Sequence, residues 1–123
     1  MSGYLYQELS HQVIGLAMKV HRTLLNGMPE QVYRRSLCHD LRKEGIPLEA
    51  EKRFQVTYDG ELVGTFRVDL IVDGKILLEL KAVEQLIDQH RSQILSYLKA
   101  SGIQVGLLIN FGAKSLQFER FVN

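Results

Sequence analysis

Within FRVDLIVDGKILLELKA, residues 66–82, four charged side chains stand among apolar ones on either side of the Asp73-Gly74-Lys75 stretch: Arg67, Asp69, Glu79 and Lys81. All four occupy odd positions, whereas Val68, Leu70, Val72, Ile76, Leu78, Leu80 and Ala82 are even and apolar. Side chains alternate across a strand, so two strands here would gather the apolar set on one face and the charges on the other. Two carboxylates on one face can converge on a single cation. Mg²⁺ takes oxygen ligands in octahedral geometry and is usually held by one or two carboxylates with several waters retained. Asp69 and Glu79 are the candidate ligands, with the Leu80 carbonyl as a third. Lys81 points the same way, where it can orient or deprotonate an attacking water and offset charge developing on a phosphate. The other reading of these residues is a solvated face of an antiparallel sheet, with Arg67 and Glu79 as a cross-strand ion pair. Ile71 and Leu77 on the same face, and the crowding of the charges toward one end, weigh against it.

Sharing a face constrains the turn between the two strands. A two-residue Asp73-Gly74 loop would set Val72 opposite Lys75 and turn the second apolar set over, so the loop needs three residues. With Val72, Asp73 and Gly74 in it, Gly74 takes the left-handed position of a type I turn plus bulge. That register sets Ile71 opposite Lys75, Asp69 opposite Leu77 and Arg67 opposite Glu79. Asp69 and Glu79 are then diagonal neighbours, with α-carbons about 7 to 8 Å apart.

The elements that must carry this hairpin are read from periodicity. Leu5, Leu9, Val13, Leu16, Ala17, Val20 and Leu24 recur at spacings of three and four, predicting a helix from Tyr4 to Leu25 that Asn26-Gly27 ends in a left-handed cap. Pro29 suits the first turn of a second helix, which buries Val32, Tyr33, Leu37 and Leu41 and stops at Gly45. After Pro47, alternation, β-branched residues and turn signals at Asp59-Gly60 and Asp73-Gly74 predict a three-stranded meander. Helical spacing returns from Val83 to Ala100 through Leu86, Ile87, Ile94, Tyr97 and Leu98, with Gly102 as the stop. VGLLINFG reads as a strand covered on both faces, and LQFERFV as an edge strand.

The 123 residues, 46% hydrophobic and 24% charged, suit one folded domain over residues 1–123 with one core. A net charge of +1 excludes a strongly basic field over the whole chain. An anionic ligand must therefore be held by a local patch, for which Arg34-Arg35, Arg42-Lys43 and Lys52-Arg53 are candidates; such pairs otherwise form solvated faces. Cys38, the single cysteine, excludes an internal disulfide and any multi-cysteine zinc or iron–sulfur site, suits a reducing compartment, and is expected as small filler in a helix. No run approaches the ~20 apolar residues of a spanning helix, and MSGYLYQELSHQ lacks a basic start followed by an apolar stretch, so a cytoplasmic protein with no membrane partner is expected. His11, His21, His39 and His90 lack zinc-like spacing and are expected to be solvated or capping. Without a glycine-rich phosphate loop or a G-x-S-x-G turn, nucleotide-driven and acyl-transfer chemistries have no support.

Asp69 on one strand, followed by Glu79-Leu80-Lys81 on the next and then a helix, resembles the PD-(D/E)XK nuclease superfamily, with Val68 where that signature has proline. Gly27-Met28-Pro29-Glu30-Gln31-Val32-Tyr33 matches the G-x-x-E-x-x-Y signature of the small bacterial GxxExxY proteins of that superfamily. VHRTLLNG, RVDLIVDGKILLELKAVE, QILSYLKASGIQVGLLINFG and RFV are also similar to that family, so the resemblance covers nearly the whole chain. It implies an α/β, restriction-endonuclease-like αβββαβ core, with a mixed sheet flanked by helices and an extra N-terminal helix. It also implies Asp69 and Glu79 as metal ligands, Lys81 as the superfamily's lysine and Glu30 as an acidic residue from an early helix. An acid in a first helical turn complements the helix dipole in any case. Gln93 and Tyr97 look like the Q-x-x-x-Y element of RecB-like nucleases. One helical turn puts both on one face, where the amide can bond a metal-bound water or backbone group and the phenol a phosphate; core packing is the alternative for Tyr97, as for Tyr33. The implied activity is hydrolysis of phosphodiester bonds in nucleic acid, DNA ahead of RNA, by an Mg²⁺-dependent endonuclease, with Mn²⁺ as the other metal. One cysteine cannot build the iron–sulfur cluster that some relatives carry. The rival reading is a catalytically silent module of the same fold that binds nucleic acid or protein, suggested by the near-neutral charge and small size. A homodimer or a partner protein would supply the missing surface at the exposed edge of the last strands.

Overall fold

The computed structural model describes residues 4–123; residues 1–3, where the expected domain begins, lie outside it. In chain order the elements are α1 (Gln7–Leu24), α2 (Glu30–Lys43), β1 (Leu48–Tyr58), β2 (Glu61–Val72), β3 (Ile76–Lys81), α3 (Asp88–Ser101), β4 (Val105–Asn110) and β5 (Gln117–Val122). The strands form one mixed sheet in the order β1-β2-β3-β4-β5, antiparallel except for the parallel pair β3–β4. That pair needs a crossover, which α3 supplies. From α2 to β4 the order is the expected αβββαβ, with α1 as the extra N-terminal helix and β5 as the expected edge strand.

Helices α1 and α2 cover one face of the sheet, where Val13, Ala17, Tyr33, Leu37 and Leu41 pack with Leu70, Val72, Ile76, Leu78 and Leu80. Helix α3 covers the other face, laying Ile94 and Leu98 on Ile71, Leu77 and Leu108. The odd face of the hairpin is thus covered by a helix, and Ile71 and Leu77 are buried. Strand β4 is buried along its whole length, as its continuous apolar run requires. Its Gly106 lets α3 approach, since a Cβ there would lie 3.0 Å from Ile94 Cδ1 and Leu98 Cδ1. Cys38 is buried filler in α2. Among the described residues no helix is long and apolar enough to cross a membrane.

Several local expectations are corrected, each by a contact distant in sequence. The β2–β3 loop has the three residues that parity demanded, but they are Asp73, Gly74 and Lys75, and Val72 pairs with Ile76. Asp73 and Gly74 both take positive φ, 52° and 64°. The expected register would have placed Lys75 opposite Ile71 on the α3 face; the observed one pairs Ile71 with Leu77 and keeps Lys75 in solvent. Alternation also slips at Asp69. Val68 joins Phe66 on the α3 side, whereas Leu70 and Val72 face α1 and α2. The slip falls where the β1–β2 ladder lacks a pair between Ala50↔Leu70 and Lys52↔Val68, and where Glu51 has φ 54°. A left-handed non-glycine residue costs about 1–2 kcal/mol. Arg67 consequently pairs with Glu51, at 3.1 Å, rather than with Glu79.

Two buried polar side chains set the remaining boundaries. The positive φ that ends α1 falls on Leu25, at 62°, and Gly27 is not left-handed. Tyr33 fixes this turn: its hydroxyl donates to the Leu25 carbonyl and accepts from the Met28 N–H, while its ring stacks on Phe111 at 4.7 Å. Helix α3 begins at Asp88 instead of Val83, because fully buried Asn110 holds both backbone groups of Val83. The Val83 N–H donates to Asn110 Oδ1 at 3.0 Å and Asn110 Nδ2 donates to the Val83 carbonyl at 2.9 Å. Asn110 Nδ2 also reaches Gln117 Oε1, which accepts from the Leu86 N–H. A peptide held at both ends in this way cannot join a helical ladder. Among the histidines, His90 accepts the Ile87 N–H as expected of a cap, and His39 is exposed. His21 departs from expectation: it is buried, bonded to the Ala113 carbonyl at 2.9 Å.

A Cβ on Gly112 would lie 2.3 Å from the Val83 backbone nitrogen and oxygen. Gly112→Ala is therefore expected to cost about 1–3 kcal/mol or more, read as a lower urea midpoint at unchanged slope. Gly27→Ala, in open space without left-handed φ, should stay within about 0.5 kcal/mol of the parent.

Candidate active site

Beyond the Leu70↔Leu78 pair the β2–β3 ladder gives way to side chains. Glu79 Oε1 accepts from the Asp69 N–H at 3.2 Å, and Asp69 Oδ2 accepts from the Leu80 N–H at 2.7 Å. Each carboxylate thereby satisfies a backbone donor of the opposite strand. Asp69 and Glu79 are 8% and 5% exposed, so this pair is built into the fold rather than displayed on a wet surface. One oxygen of each, Asp69 Oδ1 and Glu79 Oε2, has no hydrogen-bond partner among the described residues.

Burial and mutual repulsion disfavour the charged forms. Glu79 is pushed up to about 8, first by burial and then by the Asp69 carboxylate. Burial also raises Asp69, against the lowering influence of the Leu80 N–H, Arg34, Lys81 and Arg67. Glu30, the first residue of α2, is half-buried and raised by burial and then by Asp69. Its place follows from the Tyr33 clamp one turn further on, which fixes the turn that leads into the helix.

The other expected residues come from β3 and α3. Lys81 Nζ donates to Gln93 Oε1 at 3.1 Å, which ties the ammonium to the helix. Tyr97, one turn beyond Gln93, stacks on Phe66 at 4.5 Å, so it packs as core. Its hydroxyl also lies within the field of the site: the phenol is raised by burial, then by Glu79 and Asp69, and stays a proton donor. Leu80 is buried, and its N–H is the one that Asp69 holds.

Glu30, Asp69, Glu79, Lys81, Gln93 and Tyr97 are thus linked by hydrogen bonds or electrostatic influence where the β2–β3 ladder ends, but Glu30 is not gathered into the carboxylate pair. Among the described residues no three His, Cys, Asp or Glu side chains close around a point. Two carboxylates with a neighbouring carbonyl are nevertheless the donor set that Mg²⁺ or Mn²⁺ takes beside water, and the residues fit such an ion. The sequence marked Arg67 only as a hairpin charge and Arg34 only as part of an anion patch, and it did not reveal Glu51. Glu51 bridges Arg34 at 3.5 Å and Arg67 at 3.1 Å, and both arginines act on Asp69. Arg34 had a signal in its i, i+4 spacing from Glu30, which puts both on one helix face. Glu51 had none, because its place depends on the interrupted ladder.

A family model for the PD-(D/E)XK nuclease superfamily matches residues 7–121. No curated protein matches the sequence. Among solved structures the chain is similar to the crystal structure of SSO0001, with a TM-score of 0.63 at 16% identity. The likeness covers 96% of this chain and 60% of that one, and at this identity it is a likeness of fold.

A carboxyl whose value is raised in the fold stabilises it in the protonated form. For Glu79 that contribution is full below the ordinary value of 4.5 and is lost as pH rises to about 8. Glu79→Gln keeps an acceptor for the Asp69 N–H and removes the titration. Without metal, the variant should match the parent near pH 5 and exceed it near pH 9 by on the order of 1 kcal/mol or more, measured by thermal melts at both pH values. An ordinary ion-paired carboxylate would be weakened by the same change.

Proposed function

We propose that this chain, which belongs to the PD-(D/E)XK nuclease superfamily, is a metal-dependent nuclease that hydrolyses phosphodiester bonds in nucleic acid, DNA ahead of RNA. The observation that carries this reading is the buried exchange between Asp69 and Glu79, which leaves one oxygen of each for a ligand, with Lys81 next on the same strand. Asp69, Glu79 and the Leu80 carbonyl would hold the ion, Mg²⁺ first and Mn²⁺ second. When bound, the ion polarises the phosphate and lowers the pKa of water.

The rest of the chemistry falls to the chain. Lys81, tethered by Gln93, presents its ammonium where charge builds on the phosphate oxygens in the transition state. The Tyr97 phenol donates a hydrogen bond to the phosphate. Glu30 faces Asp69 from the start of α2 and accepts from water on that side. The spacing of Gly27, Glu30 and Tyr33 supports placing the chain among the GxxExxY proteins, since Tyr33 holds the turn that aims Glu30. We further take residues 1–123 as one nuclease-like domain acting as an endonuclease in the cytoplasm, with a second copy or a partner protein on the β5 edge to extend its substrate surface.

A second reading, a silent module of the same fold, draws on one observation: each carboxylate already has a backbone partner without any ion. Isothermal calorimetry of Mg²⁺ and Mn²⁺ against wild type and Asp69→Ala separates the two; ion binding that needs Asp69 favours the nuclease. On a DNA substrate, Asp69→Ala and Glu79→Ala should each lower metal-dependent cleavage by on the order of 10²-fold or more, the scale of losing one preorganised electrostatic group. Asp69→Asn, which keeps an acceptor for the Leu80 N–H, checks that lost charge rather than lost fold is responsible. Full activity in a well-folded variant would overturn the assignment.

A further inference from the structure

Beside the site, between α2 and β1, lies a cavity of about 260 Å³ lined by Arg34, Arg35, Arg42, Gln31 and Glu51. Positions 31, 34, 35 and 42 fall on one helical face, so α2 turns three guanidiniums toward β1. Against them stands a single carboxylate. Among the described residues neither Arg35 nor Arg42 has an ion-pair partner, and Arg34 shares Glu51 with Arg67. In a chain whose net charge is only +1, this is a local excess of positive charge of the kind that holds an anion. Arginine's planar fork suits phosphate oxygens in particular.

One residue links the cavity to the candidate site. Arg34 lines the cavity and lies one helical turn from Glu30. Glu51 reaches the arginines from a left-handed backbone, φ 54°, at the interruption of the β1–β2 ladder. Its side chain is about half exposed, so an incoming anion can displace it without opening the core.

We propose that this cavity seats a backbone phosphate of the nucleic-acid strand, adjacent to the phosphate at Asp69 and Glu79, and that Glu51 occupies Arg34 until the strand arrives. The ligand class rests on the nuclease reading. Glu51 is then a built-in competitor: it pairs with Arg34 in the free protein, and it makes full use of the cavity depend on a phosphate strong enough to replace it.

The test is fluorescence anisotropy of a short fluorescein-labelled DNA strand in EDTA, where no metal-dependent cleavage occurs, at several salt concentrations. Glu51→Gln is expected to tighten binding by roughly 3- to 10-fold at low salt. Arg42→Gln is expected to weaken it by a similar factor and to reduce the slope of log affinity against log salt by about 0.7, the value for one lost phosphate contact on a single strand. Arg42→Lys should keep the slope. Thermal melts check that each variant is folded. Unchanged or weaker binding by Glu51→Gln, or an unchanged slope in Arg42→Gln, overturns the proposal. Because the assay needs no turnover, the two readings fail separately. If the variants behave as expected while no metal supports cleavage, the phosphate seat stands and the nuclease falls; if cleavage is found while Arg42→Gln binds as wild type, the seat falls alone.

Discussion

Everything in this molecule is arranged around two backbone N–H groups that the sheet does not satisfy. Past Leu70↔Leu78 the β2–β3 ladder stops, and the donors of Asp69 and Leu80 need partners because buried N–H groups are costly to leave unpaired. Glu79 and Asp69 supply them reciprocally. The same two bonds stand in for the missing ladder pairs and bury two carboxylates side by side, each with one oxygen left over. Position and reactivity therefore share one cause: the bonds that fix the carboxylates also keep them where water does not stabilise their charge.

Two further polar side chains bring the helices to this end of the ladder. Tyr33 bridges Leu25 and Met28 and stacks on Phe111, which sets the start of α2 and hence Glu30 and Arg34. Asn110 holds Val83 and, through Gln117, Leu86, which sets the start of α3 and hence Gln93 and Tyr97. Both clamps are satisfied, and Tyr33 and Asn110 are fully buried. A buried network of this kind specifies one arrangement more sharply than apolar packing does.

What the sequence makes legible is whatever depends on neighbours along the chain. The 3.6-residue stripes of α1 and α2, the unbroken apolar run of β4 and the parity of Leu70, Val72, Ile76, Leu78 and Leu80 all survive intact in the fold. The requirement that the β2–β3 loop hold three residues follows from parity alone and is met. Which three they are does not follow, because Lys75 is kept out of the ladder by α3 burying the face opposite Ile71. Likewise Val83 looks helical until Asn110, far along the chain, takes its peptide, and Asn26-Gly27 looks like the cap until Tyr33 takes the Leu25 carbonyl. Among the candidate residues, Asp69, Glu79 and Lys81 were visible as spaced charges. Glu51 was not, since a glutamate in a polar edge strand carries no mark of the backbone that turns it toward two arginines.

The parallel pairing of β3 with β4 carries a consequence for how the protein comes into being. Ile76 finds its neighbour in Val105, and the Lys81 carbonyl finds its donor in Phe111, only after the whole of α3 has been laid across the sheet. Pairing of this range forms slowly compared with a hairpin. During synthesis the strand bearing Glu79 and Lys81 leaves the ribosome well before the segment that encloses it. The carboxylate pair between β2 and β3 is therefore among the last features to mature, and a nascent chain that already contains every acidic residue of the candidate site still lacks the frame that holds them together.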